Sequence, residues 1–278
     1  MTIVKQASRM PEGVEIQVRH KDFNLEKILA TDWLDGDAFK TAFYNSMSFS
    51  FPIGEKSFID SVRAYKDKIT DPKLNKEMSG FFGQEGLHRR EHQKYNEMLC
   101  AQRGYNLETL EAPWAKRVAQ MDKRASKMMK LGSTVAAEHF TAILAENLLS
   151  GWSLENVAPP MKELWLWHAS EELEHKSVAF DVYTEIGGTY KLRKIMMRLF
   201  TFYFLLDMLS NTFSMLRHDN QLWKWKTIKS GFKFMFGKGG FIRAMWPEYK
   251  TFYKRGFHPW DNDNRELLDN WEDLLQYN

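Results

Sequence analysis

The chain has 278 residues, 44% of them hydrophobic and 14% aromatic, so it can bury a large core and is not a disordered protein. Its formal net charge is only +3, and residues 1–216 contain 28 basic and 28 acidic side chains. The positive excess is confined to Arg217–Arg255, where ten Lys and Arg accompany two acids. A confined excess argues against a uniformly basic nucleic-acid-binding protein, so we expect no nucleic-acid partner.

The cysteine content and the apolar stretches bear on location. The single cysteine, Cys100, excludes a disulfide framework and thiolate metal sites, and a reducing compartment such as the cytoplasm is the simplest location. The first 20 residues lack the apolar core of a signal peptide. The most apolar stretch, Leu199 to Leu216, is interrupted by Asp207 and falls short of the roughly 20 apolar residues that cross a bilayer. We therefore expect no membrane-spanning helix.

The N-terminal part of the chain divides into an arm and a first helix. Residues 1–35 predict an extended arm, because apolar and polar side chains alternate over a segment too short to form a sheet alone. Helical periodicity begins at Asp37. Pro52 predicts a kink or a new helix start near Phe51, since proline removes a backbone donor and clashes with the preceding turn.

Three further long helical segments follow, at about 72–104, 113–150 and 159–187, and a longer crossover joins the first two of them. Together with the first helix they predict an all-α protein in which residues 36–190 form a four-helix bundle of two hairpins. We assign residues 191–278 to a C-terminal extension of additional helices. It begins with an apolar helix and is expected to end with a capped amphipathic helix over 261–275.

Two of the predicted helices carry charged residues on the face that should be buried. Each contains Glu-x-x-His, as Glu85–His88 and Glu172–His175, a spacing that places both side chains on one helix face. Charged groups on a buried stripe are costly unless they are paired or bound to a metal ion. The two stripes therefore indicate a metal site inside the bundle.

A further glutamate precedes each pair, so that each hairpin supplies one lone glutamate and one Glu-x-x-His. Carboxylates and imidazoles suit iron or manganese, and bridging carboxylates can neutralise two divalent ions. His168, four residues before Glu172, either joins the ligands or orients one of their carboxylates. The candidate metal ligands are Glu55, Glu85, His88, Glu138, His168, Glu172 and His175.

Other polar residues near these positions are expected to support the site. We predict that His92 and Glu146 hydrogen-bond to the ligands and do not bind metal themselves. His139 follows Glu138 directly and is expected to point away from the site. The tail segment 258–263 predicts a turn in preference to a separate metal site.

The order of these residues resembles the ferritin-like di-iron carboxylate proteins over roughly residues 37–187. The His-x-x-x-Glu-x-x-His pattern at 168–175 is similar to that of the arylamine N-oxygenases, in which a third histidine joins the di-iron site. This resemblance implies a ferritin-like four-helix bundle with a dinuclear centre. It implies two iron ions as the cofactor, with Mn/Fe or another divalent pair left open.

The whole chain also resembles a bacterial family described as "predicted metal-dependent hydrolase". The segments Phe-Pro-x-Gly-Glu at 51–55 and His-Pro-Trp-Asp at 258–261 carry this resemblance. The same ligands would serve an oxygen-activating iron pair or a hydrolytic pair.

Our main expectation is a di-iron, oxygen-activating oxidoreductase of the hydroxylase, N-oxygenase or desaturase type. Its substrate would be a small apolar, amphipathic or lipid-like molecule, and it would need an external electron donor. The alternative is a dinuclear metal-dependent hydrolase of an ester, amide or phosphoester. Non-catalytic metal storage or sensing, or a membrane-associated binding protein, is a further alternative, and a homodimer is left open.

The basic segment from Arg217 to Arg255 interleaves its cations with aromatic residues. This composition is typical of the headgroup layer of an anionic membrane, and it would also suit RNA or an ordinary solvated edge. We favour the membrane because the segment follows an apolar helix, and we expect a cytoplasmic protein peripheral to the inner membrane face. The candidate membrane-facing residues are Trp223, Lys224, Trp225, Lys226, Lys229 and Lys233.

Overall fold

The computed structural model describes residues 7–275, and no strand occurs among them, so the predicted all-α class is confirmed. The helices are α1 (Glu26–Leu29), α2 (Ala38–Arg63), α3 (Pro72–Arg103), α4 (Leu107–Arg124), α5 (Lys127–Leu149), α6 (Pro159–His175), α7 (Val178–Glu185), α8 (Tyr190–His218), α9 (Trp225–Phe236), α10 (Phe241–Thr251) and α11 (Glu266–Asp269).

The ends of the first two long helices follow local capping chemistry. Asp37 caps α2, because its side chain accepts hydrogen bonds from two backbone N–H groups of the first turn. Asp71 caps α3 in the same way, and Gly104 ends α3 in the left-handed conformation that suits glycine. One helix continues through Pro52, so the new helix start expected near Phe51 is wrong.

Two predicted segments are each divided in the structure. The segment predicted over 113–150 is α4 followed by α5, because Ser126 caps a new helix by accepting a hydrogen bond from Met129 N–H. The expected crossover is therefore largely helix α4. The segment predicted over 159–187 breaks after His175, where Lys176 turns to donate hydrogen bonds to tail residues Asn262 and Asn264.

The terminal helix expected over 261–275 is reduced to the single turn α11 and short 3₁₀ segments. The carboxylate of Asp263 binds the guanidinium and backbone N–H of Arg265. It therefore does not cap a longer helix.

The packing of the helices encloses the region that carries the candidate ligands. Helix α2 packs on α3, α5 packs on α6, and α2 also contacts α5. Helix α8 covers both α2 and α5. The core thus lies between α2, α3, α5 and α6, with α8 along one side.

Helix α8 differs from the expectation that no helix could span a membrane. By length and composition it is long and apolar enough to cross a membrane, and well under half of its most apolar part is buried. Core helices of soluble proteins can have the same length and composition, so one such helix is weak evidence for a membrane span.

The N-terminal arm lies across α3 in an extended conformation. Gly80 and Gly83 of α3 make room for it: a Cβ at Gly80 would lie 2.7 Å from Ile16 Cγ2, and a Cβ at Gly83 would lie 2.6 Å from Val18 Cγ2. These two glycines therefore let the arm approach the helix backbone closely.

Candidate metal centre

The structure brings all seven predicted ligands together inside the helical core. Each side chain comes from α2, α3, α5 or α6, and none of the residues is more than 4% exposed. The residues are Glu55, Glu85, His88, Glu138, His168, Glu172 and His175.

These residues form two adjoining groups that share one carboxylate. In the first group, one atom each of Glu55, His88, His168 and Glu172 lie within 4.8 Å of one another. In the second, Glu172 is joined by Glu85 and His175, and Glu138 Oε2 lies 3.4 Å from His175 Nε2. Each group could hold a metal ion, and Glu172 belongs to both.

Most of the candidate ligand atoms have no hydrogen-bond partner within residues 7–275. Both carboxylate oxygens of Glu55, Glu85 and Glu138 are unpartnered, as are His88 Nδ1 and His175 Nε2. Burying polar atoms without partners is costly, and a divalent cation would supply what they lack. The buried cluster therefore indicates a divalent metal site.

Two imidazoles are fixed by partners on the side away from the cluster. His88 Nε2 lies 3.0 Å from Glu171 Oε2, and His175 Nδ1 lies 2.8 Å from Gln84 Oε1. A metal-binding histidine is neutral and donates its other N–H to such an acceptor. The remaining nitrogens, His88 Nδ1 and His175 Nε2, are the unpartnered ones.

The third imidazole, His168, belongs to a chain of hydrogen bonds. Its Nδ1 lies 2.8 Å from His92 Nε2, and His92 Nδ1 lies 2.9 Å from Ser48 Oγ. The Ser48 hydroxyl donates to Asn96 Oδ1 at 2.7 Å, so Ser48 must accept from His92 Nδ1–H. His92 then accepts from His168 Nδ1–H. This leaves a lone pair on His168 Nε2, which lies 2.9 Å from Glu172 Oε1.

The charges of the buried carboxylates cannot all be carried by the protein alone. Burial, reinforced by the neighbouring carboxylates, raises the pKa of Glu55 and of Glu138 well above the usual range. Burial raises the pKa of Glu85 to about 7. Burial likewise opposes ionisation of Glu172, but in the absence of metal the charge of His175 and the proximity of the His168 imidazole lower the pKa of Glu172. Bound cations would allow all four carboxylates to ionise.

The supporting glutamates on α6 were not predicted. Glu171 accepts hydrogen bonds from Arg19 N–H at 3.0 Å and Trp167 Nε1–H at 3.1 Å, besides facing His88. Glu174 accepts from Gln84 Nε2–H at 2.6 Å and from the Arg19 guanidinium at 2.6 Å. The run Glu-Glu-x-Glu at 171–174 was the available signal, but Glu171 and Glu174 lie off the face that carries Glu172.

Three other sequence-based assignments fall outside the cluster. Glu146, expected to hydrogen-bond to a ligand, instead accepts from Asn262 Nδ2–H at 2.8 Å, and no hydrogen bond within residues 7–275 joins it to the seven. His139 turns away, as expected, to the backbone oxygen of Glu248. In the tail, His258 Nε2 lies 2.8 Å from Asp181 Oδ1, and its Nδ1 accepts from a backbone N–H in a turn.

One comparison with known proteins is informative. A family model described as "Predicted metal-dependent hydrolase" matches residues 17–263. No curated protein and no solved structure matches the chain.

The family description corrects our main functional expectation. It names a hydrolase, so the expectation of a di-iron oxygen-activating oxidoreductase with an external electron donor is contradicted. The hydrolase that we held as the alternative is favoured instead. The same ligand groups serve either chemistry, which is why the residues alone pointed to the wrong reaction.

Proposed function

Because this chain belongs to the family described as predicted metal-dependent hydrolases, we propose that it hydrolyses an ester, amide or phosphoester with a pair of divalent metal ions. The seven buried carboxylates and imidazoles would hold the pair in a ferritin-like arrangement of α2, α3, α5 and α6. The observation that carries the proposal is the set of buried, unpartnered ligand atoms in two groups that share Glu172. The ligand types suit iron or manganese, and we propose an iron pair, with a mixed Mn/Fe pair next.

The protein side chains would perform distinct tasks around this centre. When bound, the metal pair would supply an activated water and polarise the substrate oxygen. Glu171 and Gln84 keep His88 and His175 in the tautomers that leave a lone pair toward the cluster. Thr141 donates its hydroxyl hydrogen to Glu172 and so orients the shared carboxylate.

A direct test combines metal analysis with a substrate panel. We expect about two metal ions per chain after expression in iron-supplemented medium, and hydrolysis of one substrate class among p-nitrophenyl esters, anilides and phosphoesters. Hydrolysis should proceed without reductant and stop after chelation. Less than one metal ion per chain, or hydrolysis that survives complete chelation, would contradict the proposal.

The organisation of the rest of the chain also stays a proposal. We propose that residues 1–35 act as an arm, 36–190 as the metal-binding bundle and 191–278 as an extension. The arm contributes to the bundle through Arg19, which pairs with both Glu171 and Glu174. We also retain a cytoplasmic location at the inner membrane face as a proposal.

A further inference from the structure

An apolar cavity lies beside the candidate metal centre, between α2, α4, α5 and α8. Its volume of about 380 Å³ falls within the range of small-molecule sites. Aromatic and sulfur-containing side chains from all four helices contribute to its wall. They include Phe51, Phe58, Trp114, Met121, Met196 and Phe200.

The cavity is separated from the cluster by the side chains of Thr141 and Phe51, which contact both. Thr141 lines the cavity and donates its hydroxyl hydrogen to Glu172. Phe51 lines it as well, and its ring centroid lies 4.5 Å from those of both His92 and His168. A molecule in the cavity would therefore lie one side chain, that of Thr141, away from the shared carboxylate.

The charges around the cavity do not favour an anionic substrate. Its charged lining residues are Arg117, Arg124 and Asp207. Arg117 Nε lies 2.8 Å from Asp207 Oδ2, so this cation is already neutralised, and Arg124 is exposed at the surface. The interior is left with an apolar wall that would bury hydrocarbon.

We propose that the cavity binds the acyl chain of an uncharged carboxylic ester whose carbonyl lies at the metal centre. This inference rests on the proposed hydrolase function and selects esters of apolar acids from its substrate classes. In the reaction, the oxygen of water bonds to the acyl carbon and the bond from that carbon to the alcohol oxygen breaks. One proton of the water passes to the leaving alcohol, and no oxidant or reductant takes part.

The proposal is tested by varying the length of the acyl chain of the ester and by filling the cavity with a larger side chain. For p-nitrophenyl esters from acetate to decanoate, we expect kcat/KM to rise by about fourfold per methylene until the cavity is full. A fluorescent long-chain fatty acid, the product analogue, should bind at one molecule per chain. Ser133→Phe, in the cavity wall on α5, should weaken that binding by about tenfold or more and flatten the dependence on chain length.

Ser79→Phe, at an exposed position of α3, is the matched control and should leave both measurements unchanged. Metal content verifies that each variant keeps its centre. Fatty-acid binding that is equal in Ser133→Phe and in the unmodified chain would overturn the cavity proposal while leaving the hydrolase standing. Fatty-acid binding lost in Ser133→Phe, with no ester, anilide or phosphoester hydrolysed by the unmodified chain, would keep the cavity and reject the hydrolase.

A separate observation concerns the outward face of α9 and the residues just before it. Trp223, Trp225 and Phe232 are 85%, 75% and 68% exposed. Trp225, Ile228, Phe232 and Phe236 are spaced as one stripe of the helix. The opposite side of α9 already serves the core, because Gly231 packs against Phe39.

Cations without acidic partners accompany this stripe. No acid occurs in the sequence from Asn220 to Pro247, and within residues 7–275 no ion pair involves Lys224, Lys226, Lys229 or Lys233. Exposed Trp and Phe side chains interleaved with unpaired lysines complement the headgroup layer of an anionic bilayer. We propose that this face, Trp223 to Phe236, docks on an anionic lipid surface.

Vesicle binding tests the lipid proposal independently of activity. The full chain should co-sediment with phosphatidylglycerol-containing vesicles at low salt and much less with pure phosphatidylcholine vesicles. The triple variant K226E/K229E/K233E should lower the vesicle-bound fraction by about tenfold or more. The variant K66E/K68E/K76E makes the same charge change at exposed lysines elsewhere and should bind nearly as the unmodified chain does.

Equal binding by the two triple variants would overturn this proposal. So would equal binding to neutral and anionic vesicles. Binding to single-stranded RNA in the absence of vesicle binding would also reject the lipid surface, in favour of a nucleic-acid surface.

Discussion

Replacing Glu172 with glutamine is expected to remove both metal ions and to lower metal-dependent hydrolysis by about 10³-fold or more. Glu172 is the one residue common to both groups of ligand atoms, and its two oxygens face different partners. An amide keeps the shape but loses the charge and one acceptor oxygen. Since loss of a residue that only supports a ligand costs about 10- to 100-fold, loss of the shared ligand should cost more. Metal content and kcat/KM are the measurements.

Two matched substitutions serve as controls for Glu172→Gln. Glu146→Gln makes the same change on α5 at a carboxylate whose hydrogen-bond partner is in the tail. His139→Gln changes a buried histidine that turns away from the cluster. Both should retain two metal ions per chain. Full metal content in Glu172→Gln, or equal metal loss in all three variants, would contradict a shared bridging role.

Replacing His92 is expected to lower metal affinity less than Glu172→Gln does, but more than the two control substitutions do. His92→Ala removes the acceptor for His168 Nδ1–H and should lower metal affinity by about 10- to 100-fold. His92→Gln retains an acceptor and should recover part of the loss. A purely packing role for His92 would give no difference between alanine and glutamine.

The buried cluster of candidate ligands could be predicted because the spacing of its members is a local property of helices. The i, i+3 pairs Glu85–His88 and Glu172–His175 lie on one helix face in any helix, so the structure had only to bring two such faces together. The all-α class followed from the same periodicity. The start of α3 was predicted at Pro72, whereas the start of α5 at the Ser126 cap was missed.

Apart from His92, the residues that support the candidate ligands could not be predicted, because they depend on contacts between distant parts of the chain. Arg19 reaches Glu171 and Glu174 only because Gly80 and Gly83 admit the arm to the surface of α3. No local pattern joins positions about 150 residues apart. The break after His175 likewise depends on the tail, which holds Lys176.

Removing the metal ions by chelation is expected to lower the melting temperature by about 15 °C or more at neutral pH. A ligand present at about 1,000 times its Kd contributes about 4 kcal/mol to the free energy of unfolding, and two such sites contribute about twice that. For a chain of this size each kcal/mol corresponds to roughly 2 °C or more. Differential scanning calorimetry with and without chelator measures the difference.

The stability of the metal-free chain should also fall as the pH rises from about 5 to 8. In the folded chain the pKa of Glu55 and of Glu138 is raised well above the usual value for a glutamate, and the pKa of Glu85 is raised to about 7. In the unfolded chain these carboxylates titrate at about 4.3. Between these values the folded state binds more protons than the unfolded state, so the free energy of unfolding decreases with pH.

His175 acts in the same direction. Burial opposes its charged form, but the charge of Glu172 and hydrogen bonds to Glu172 and Glu85 together raise the pKa of His175. Its contribution is present below about pH 6.5, the unfolded pKa, and is lost as the pH rises through the folded value. The lowered pKa of Glu172 acts oppositely, but only in acid. Metal binding releases these protons, so the stability gap between the loaded and the metal-free chain should widen with rising pH. A gap that stays constant or narrows from pH 5 to 8 would show that the buried carboxylates are not the groups that hold the metal.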